Sequence, residues 1–313
     1  MDVITAGQVA ASLSWPALVE RLAATFRAGV ESPPRHHHAI HRPDGEATML
    51  LMPAWEPAGY IGVKMVNVFP QNADHGLPAI AGVYLLSEGA HGRPLACIDG
   101  SELTRRRTAA ASALAARELA REDAETLLVV GTGKLAPMVI EAHAAVRPIR
   151  RVRIWGRQAA KAERLAADYA DRFDTAAVTD LAAATGEADI VSCVTLAETP
   201  LIRGEWLTPG SHLDLIGAFR PTMRETDGEC LARSEVFVDT YAGARGEAGD
   251  IHQAVEEGAF RFEAIRGELA ELLRGEVPGR SSDDAITLFK SVGASLEDLA
   301  AAIEVWEQRE GRP

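Results

Sequence analysis

The chain has 313 residues, of which 47% are hydrophobic and 25% charged, a profile typical of a soluble globular protein with room for two domains. Its net charge of −13 disfavours nucleic-acid binding, which normally uses a basic face. No apolar run approaches the roughly 18–20 residues of a membrane span, and the N-terminus lacks the pattern of a secretory signal. Cys97, Cys193 and Cys230 are odd in number and far apart, which fits reduced thiols in packing roles. We therefore expect a cytoplasmic protein that binds neither nucleic acid nor membrane.

The N-terminal third is predicted to be α+β. An amphipathic helix over Trp15–Ala28 precedes four short β-forming runs, which Pro, Gly and Asn separate. An Ala-rich helix over Glu102–Arg121 then bridges to the next domain. This order indicates a meander of strands and not a βαβ series. The four predicted strands are Thr48–Met52, Gly62–Val68, Ala81–Leu86 and Leu95–Ile98.

Beyond the bridging helix, strands and helices alternate, which predicts a parallel sheet covered on both faces. The predicted helices are 134–145 and 158–169. The predicted strands are Thr126–Val130, Arg151–Trp155, Ile190–Val194, His212–Gly217 and Val236–Asp239.

The C-terminus is predicted to return to the first domain. Ser295-Leu-Glu-Asp298 resembles a capping box that opens a final helix through about Glu307. We therefore predict a discontinuous α+β substrate and dimerisation domain over residues 1–112 and 290–313. A Rossmann-type, doubly wound α/β domain would occupy residues 113–289.

A glycine turn joins the first strand and helix of the alternating region. Four apolar residues lead into Gly131-Thr-Gly133, and Ala136 follows at the start of a helix. Gly131 permits a sharp turn, Gly133 allows close approach of backbone to phosphates, and Ala136 lets helix and strand pack closely. The N–H groups and dipole of the helix start favour an anion. This pattern predicts dinucleotide binding.

The end of the second strand bears on the choice of cofactor. An acidic residue that binds a ribose 2′-hydroxyl normally stands there, but this chain has Trp155-Gly-Arg157-Gln. The guanidinium of Arg157 suits a 2′-phosphate. The sequence therefore favours NADP(H), with NAD(H) as the alternative.

Several segments together resemble the ornithine cyclodeaminase/mu-crystallin family over roughly residues 5 to 305. The resemblance implies a homodimer that uses a nicotinamide cofactor on amino acids or on their imines. The segments are Gly62–Asn67, Arg107–Ala110, Gly131–Gly133, Val194–Ala197, Gly217–Glu225 and Lys290–Gly293.

The resemblance also implies roles for single residues. Arg35 would grip the substrate carboxylate, Lys64 would lie beside the substrate, and Arg107 would contact substrate and cofactor. Lys64 and Arg107 are the predicted catalytic residues, and Phe219 and Val292 would line the substrate. The remaining predicted cofactor residues are Thr108, Gly131, Thr132, Gly133, Lys134, Leu135, Arg157, Thr195, Ile216, Gly217 and Ser291.

One departure from the family's pattern concerns the reaction. Ornithine cyclodeaminase has an aspartate as base where this chain has Phe219, and a phenyl ring accepts no proton. Asp227 is not at the equivalent position. We therefore predict an NAD(P)H-dependent reductase of cyclic ketimine carboxylates, which makes L-proline or L-pipecolate. Lys64, if burial lowers its pKa, or a bound water would donate the proton.

Other functions stay open at this stage. Ornithine cyclodeamination, alanine dehydrogenation and opine-type condensation of a keto acid with an amine are alternative reactions. A non-catalytic, mu-crystallin-like NADP-dependent binder is a different class of function, and three clustered cations argue against it. His36, His37, His38 and His41 are interpreted as solvated strand positions and not as metal ligands, because successive strand residues point to opposite faces.

Overall fold

The computed structural model describes residues 1–43 and 45–311, with the backbone alone for residues 73 and 74. The chain divides into two compact units. The first comprises Met1–Thr108 and Ala294–Pro313, and the second comprises Ala109–Gly293. The first unit is thus discontinuous, and its boundaries differ from the predicted residues 112 and 290 by four residues at each point.

The first unit is built on one sheet with helices at its start and end. Its N-terminal part contains β1 (Asp2–Ile4), α1 (Ala6–Ser12), α2 (Trp15–Ala28), β2 (His36–Arg42), β3 (Gly45–Trp55), β4 (Tyr60–Val68), β5 (Ile80–Glu88), β6 (Pro94–Asp99) and α3 (Gly100–Leu119), with a 3₁₀ turn over Pro70–His75. The strand order is β1-β6-β5-β4-β3-β2. β1 pairs with β6 in parallel, and the other neighbours are antiparallel. The boundary between the units falls inside α3.

The second unit is a parallel sheet with alternating helices. Its elements are β7 (Thr126–Val130), α4 (Ala136–Ala144), β8 (Arg151–Trp155), α5 (Ala159–Asp168), β9 (Asp174–Ala177), α6 (Leu181–Gly186), β10 (Ile190–Cys193), β11 (His212–Leu215), α7 (Gly228–Ala232), β12 (Glu235–Val238), α8 (Tyr241–Glu247), α9 (Gly249–Glu256), β13 (Gly267–Glu268), α10 (Leu269–Arg274) and β14 (Thr287–Lys290), with 3₁₀ turns over Gly204–Trp206 and Phe262–Ala264. The eight strands follow the order β13-β12-β14-β11-β10-β7-β8-β9.

This strand order places a topological switch point between β7 and β10. From β7 the chain moves outward through β8 and β9, and it then returns to β10 on the other side. Ligands of open α/β sheets bind at the carboxyl ends of the strands at such a point. Every residue of β7, β10, β11 and β14 is buried, as expected for parallel strands covered on both faces.

The chain returns to the first unit as α11 (Ser295–Glu310). α11 packs against α2 and against β3, β4 and β5, and residues 295–305 are all buried. On α2, Leu18, Leu22 and Phe26 are buried at helical spacing. The core of the first unit therefore lies between these two helices and one face of the sheet.

The predicted elements that carry strong local patterns match the structure. The bounds of α2, β7 and β8 agree residue for residue, and β2 carries the four histidines at exposed positions. The prediction that Val236–Asp239 is the last strand was wrong, because β14 follows it and pairs between β11 and β12. β14 was not predicted as a strand.

Two further predictions concern the membrane-spanning segments and the cysteines. None of the described helices is long and apolar enough to cross a membrane. Cys97, Cys193 and Cys230 are free thiols, and burial raises the pKa of Cys193 and of Cys230. These two buried thiols are therefore neutral and fill space in the core.

Candidate functional site

Lys64 is a buried ammonium group on an otherwise apolar strand. It lies on β4, where Met52 of β3 and Tyr84 of β5 are its register partners. Its exposed fraction is 3%, and its Nζ lies 2.6 Å from Oδ2 of Asp298. A buried charge needs such a partner, since desolvation without one costs several kcal/mol. The face of the sheet beneath α11 therefore holds a fixed cation.

Arg107 contacts the same carboxylate from the other side. It lies on α3, donates from Nε to Oδ1 of Asp298 over 2.9 Å, and donates from Nη1 to Oε2 of Glu297 over 2.6 Å. Lys64 and Arg107 thus each bind one oxygen of Asp298. All four side chains are buried. We call these four residues the ion cluster.

The two carboxylates come from the first turn of α11, where the positive end of a helix dipole favours anions. The predicted capping box over Ser295–Asp298 was wrong, because the N-cap residue is Ala294, which has no side-chain acceptor. Glu297 instead reaches back with Oε1 to the Ala294 N–H over 3.3 Å. Both carboxylate oxygens of Asp298 bind cations, one Lys64 and the other Arg107. Neither carboxylate was predicted as a site residue, because the pattern of this stretch is that of a helix start.

The charges of the ion cluster depend on burial and on one another. Burial lowers the pKa of Lys64 to about 8, with Asp298 opposing the shift and Arg107 and Arg35 adding to it. Burial acts to raise the pKa of Asp298, but Arg107 and Lys64 outweigh it and hold that pKa below its ordinary value. At neutral pH, Lys64 therefore carries a proton that it gives up more readily than an exposed lysine would.

Arg35 and Thr108 are the other predicted residues of the first unit. Tyr84, which was not predicted, is the register partner of Lys64 on β5. Arg35 directly precedes β2, is half-buried, and is close enough to Lys64 to influence its pKa. Thr108 follows Arg107 on α3 and is half-buried. Tyr84 is fully buried, and its hydroxyl has no hydrogen-bond partner among the described residues. Lys64 and Arg107 are thus in one cluster, Arg35 lies within electrostatic range of Lys64, and the two carboxylates of the cluster were not predicted.

In the second unit, the predicted glycine turn lies at the switch point between β7 and β10. Gly131 has φ +130°, and a Cβ there would lie 2.8 Å from the carbonyl oxygen of Val194, the residue after β10. No residue with a side chain fits this position. A Cβ on Gly133 would meet nothing within 4 Å, so the second glycine leaves open space beside the turn. Thr132, Lys134 and Leu135 complete the turn before α4.

The glycine turn and the helix start that follows it fit a dinucleotide. The glycine turn runs into α4 at Ala136, which is fully buried against the sheet. Arg157 follows β8, the strand beside β7, and is exposed. A Cβ on Gly156 would lie 2.6 Å from Cγ2 of Thr132, so the glycine turn and the segment that carries Arg157 are adjacent.

The remaining predicted cofactor residues follow neighbouring strands. Thr195 follows β10, Ile216 and Gly217 follow β11, and Ser291 follows β14. The Ile216 N–H donates to Cys193 O over 3.0 Å, and the Ser291 N–H donates to Leu215 O over 3.1 Å. These residues therefore lie side by side at the carboxyl edge of the sheet.

The two predicted substrate residues of this unit also lie at that edge. Phe219 is half-buried, with the guanidinium of Arg220 5.9 Å from its ring centroid. The N–H groups of Val292 and Gly293 each donate to Oδ2 of Asp239 over 2.7 Å. Asp239 thus fixes Val292, and sequence analysis missed this role.

Asp227, which sequence analysis set aside as a catalytic base, has a structural role. Its Oδ1 accepts from the Cys230 N–H at the start of α7 and from the Gly204 N–H. The histidine-rich strand β2 is exposed, and no three or more His, Cys, Asp or Glu side chains of the described residues are arranged so that they could hold one metal ion.

Replacing Asp298 with alanine should lower the free energy of unfolding by about 3–5 kcal/mol, because Lys64 and Arg107 would stay buried without their shared carboxylate. Urea denaturation near neutral pH measures the loss. Glu310→Gln, at an exposed position of the same helix, is the control and should change stability by no more than about 0.5 kcal/mol. Equal effects of the two substitutions would contradict a buried ion cluster.

Comparison with known proteins identifies relatives of this chain and structures with the same fold. The Δ1-pyrroline-2-carboxylate reductase of Paracoccus denitrificans is 40% identical over 95% of this chain and 93% of its own. The Thermococcus litoralis Δ1-pyrroline-2-carboxylate reductase, solved with NADH and L-proline, superposes with a TM-score of 0.92 at 29% identity, covering 99% of this chain and 98% of that one.

An archaeal alanine dehydrogenase dimer with bound NAD superposes almost as well, with a TM-score of 0.91 at 28% identity over 99% of this chain and 96% of that one. The fold alone therefore does not separate these reactions. The sequence profile of the ornithine cyclodeaminase/mu-crystallin family matches residues 2–312, and the chain belongs to this family.

Proposed function

We propose that this protein is a nicotinamide-dependent reductase of cyclic ketimine carboxylates. Its substrates would be Δ1-pyrroline-2-carboxylate and Δ1-piperideine-2-carboxylate, and its products L-proline and L-pipecolate. The observation that carries the proposal is the buried Lys64 ammonium, bound to Asp298 and surrounded by apolar strands. The similarity to the reductase of Paracoccus denitrificans supports it.

In the first unit, the residues of this chain bind an anion and hold a proton. The guanidinium of Arg35 suits a carboxylate, to which it can donate two parallel hydrogen bonds. Lys64 holds a proton at Nζ, and its pKa of about 8 is close to the value at which a general acid works best near neutral pH. Reduction of an imine needs one proton at the ring nitrogen, and Lys64 is the group that supplies it.

In the second unit, the glycine turn and the strand ends would hold a nicotinamide dinucleotide. When bound in its reduced form, this cofactor supplies the hydride that the imine carbon accepts. Gly131 and Gly133 would keep side chains away from the pyrophosphate, and Thr195 and Gly217 would contact the cofactor farther along the sheet edge. The exposed Arg157 favours the 2′-phosphate of NADP(H), although the neighbouring structures hold NADH and NAD.

Phe219 distinguishes this reaction from the alternatives in the family. Cyclodeamination and alanine dehydrogenation both begin from an amine, which needs a base to accept its proton. Phe219 is apolar, and the carboxylate of Asp227 accepts from the Cys230 N–H at the start of α7. A phenyl ring suits instead the methylene groups of a cyclic imine. A non-catalytic binding protein would have no need for a lysine with a lowered pKa.

We also propose that the protein is a cytoplasmic homodimer. The sheet of the first unit exposes Ile61 and Leu85 on the face opposite Lys64, and its outer strand β2 is exposed along most of its length. Exposed apolar side chains on a sheet are typical of an interface. The alanine dehydrogenase with the similar fold is a dimer.

The direct test is a spectrophotometric screen. We expect both cyclic imines to be reduced with NADPH or NADH, with L-proline and L-pipecolate as products. L-Ornithine and L-alanine with the oxidised cofactors, and a keto acid with an amine, provide the comparison. Turnover of any of these alternatives without turnover of a cyclic imine would contradict the proposal, and binding without any turnover would favour a binding protein.

The role of Lys64 predicts a pH dependence. Since the ammonium form is present below its pKa and is lost above it, kcat should fall as pH rises through about 8. Lys64→Met should remove this step and lower kcat about 100-fold or more. Initial rates with saturating imine and NADH, from about pH 6 to about pH 10, measure both effects. Lys161→Met, at an exposed position, should keep the fall of kcat with rising pH. A Lys64→Met enzyme that shows the same fall would refute the assignment.

Arg157 predicts the cofactor preference. Arg157→Ala should weaken NADPH binding about tenfold or more and leave NADH binding unchanged, because the lost charged hydrogen bonds involve the 2′-phosphate alone. Fluorescence titration of both dinucleotides measures this difference. Arg150→Ala, at the other end of β8 and largely exposed, should change neither affinity. Equal weakening of NADPH and NADH would argue against a phosphate contact.

A further inference from the structure

Glu225 binds the ends of two neighbouring strands at once. Its Oε1 accepts from the N–H of Thr195 over 2.7 Å and from the hydroxyl of Thr195 over 2.8 Å. Its Oε2 accepts from the N–H of Gly217 over 2.7 Å. Thr195 follows β10 and Gly217 follows β11, and these strands are paired in parallel. One fully buried carboxylate therefore connects two segments that have left the sheet.

These segments are packed so closely that their arrangement is fixed. A Cβ on Gly217 would lie 2.0 Å from the carbonyl oxygen of Thr195 and 2.3 Å from Oε1 of Glu225. No side chain fits between the two segments and the carboxylate. Thr195, Gly217 and the Glu225 carboxylate are thus in close mutual contact.

A second buried carboxylate holds Glu225 in place. Oδ1 of Asp250 accepts from the N–H groups of Glu225 and Thr226 over 2.7 and 3.0 Å, and its Oδ2 lies 3.1 Å from Nζ of Lys290. Burial raises the pKa of Glu225 to about 7, with Lys290 opposing the shift and Asp250 adding to it. Lys290 thus helps to keep the carboxylate ionised. It ends β14, directly before Ser291.

The network therefore joins the carboxyl ends of β10, β11 and β14. These three ends carry Thr195, Gly217 and Ser291, which the family resemblance assigns to the cofactor. No role in the reaction was predicted for Glu225, Asp250 or Lys290. Each of the three is buried, at 1% exposure or less, which excludes direct solvation and makes their mutual contacts obligatory.

We propose that Glu225 is a positioning residue for the dinucleotide, which holds Thr195 and Gly217 in the arrangement that binds the cofactor. This inference rests on the proposed function in assuming a nicotinamide dinucleotide at this sheet edge. Glutamine at this position would keep the size of the side chain but would turn an NH₂ group toward a backbone or hydroxyl donor. One donor would then lose its acceptor, and the two segments would separate.

The test compares Glu225→Gln with a matched control at the amino end of β10, the strand whose carboxyl end leads to Thr195. Asp189 precedes β10, and its carboxylate accepts from the N–H groups of Glu125 and Thr126 and binds Arg121. Asp189→Asn therefore removes a similar carboxylate contact far from the predicted cofactor residues. We expect Glu225→Gln to weaken NADH and NADPH binding about tenfold or more in fluorescence titrations, and Asp189→Asn to leave both affinities unchanged.

Steady-state kinetics supplies a second readout. For Glu225→Gln, the KM of the dinucleotide should rise while the KM of the imine stays within about twofold of its value in the unaltered protein. Unchanged dinucleotide affinity in Glu225→Gln, or equal weakening by Asp189→Asn, would overturn the inference. If Glu225→Gln does not fold, Glu225→Asp replaces it in the same assays. Its shorter carboxylate reaches one segment and not both, so it should also weaken dinucleotide binding. The titrations need no substrate, so an unaltered protein that binds NADH but reduces no imine would refute the proposed function and leave this inference standing.

Discussion

Asp298 divides its two oxygens between Lys64 and Arg107, and the chemistry of the first unit depends on this contact. Two cations brought out of water next to each other would repel, and each would cost several kcal/mol in desolvation. The shared carboxylate, with Glu297 as a second acceptor for Arg107, allows both to stay charged. It does not fully compensate Lys64, whose pKa is still lowered. Lys64 therefore stays charged at neutral pH and loses its proton more readily than an exposed lysine.

The second unit uses buried carboxylates in a related way. The segments that follow parallel strands leave the sheet, so their N–H groups lose their regular partners, and a buried N–H without an acceptor is costly. Glu225 accepts from Thr195 and Gly217, and Asp239 accepts from Val292 and Gly293. The N–H groups of these irregular segments thereby keep hydrogen-bond acceptors. This explains how a sheet edge without regular structure presents residues at defined positions.

Local patterns made part of this architecture predictable. The apolar run into Gly131 and the helical spacing of α2 arise from neighbours in sequence, and both were located to within a residue. The pairing of Arg107 with Asp298 spans 191 residues, and no spacing rule connects positions so far apart. The acidic residues of α11 were therefore interpreted by their local helix-start pattern. Glu225 was quoted within a motif but received no role, because its function depends on three strand ends that only the folded sheet brings together.

The character of Lys64 also bears on the direction of the reaction. A group that donates a proton to the ring nitrogen during reduction must take one from the product amine in the reverse direction, since both directions share one transition state. With a pKa of about 8, Lys64 is mainly an acid at neutral pH and becomes a base only in more alkaline solution. Phe219 adds no second base that would change this balance. In the proposed reductase, the buried contact with Asp298 would thus keep Lys64 in the ammonium form at neutral pH, which is the form that imine reduction needs and the reverse reaction does not.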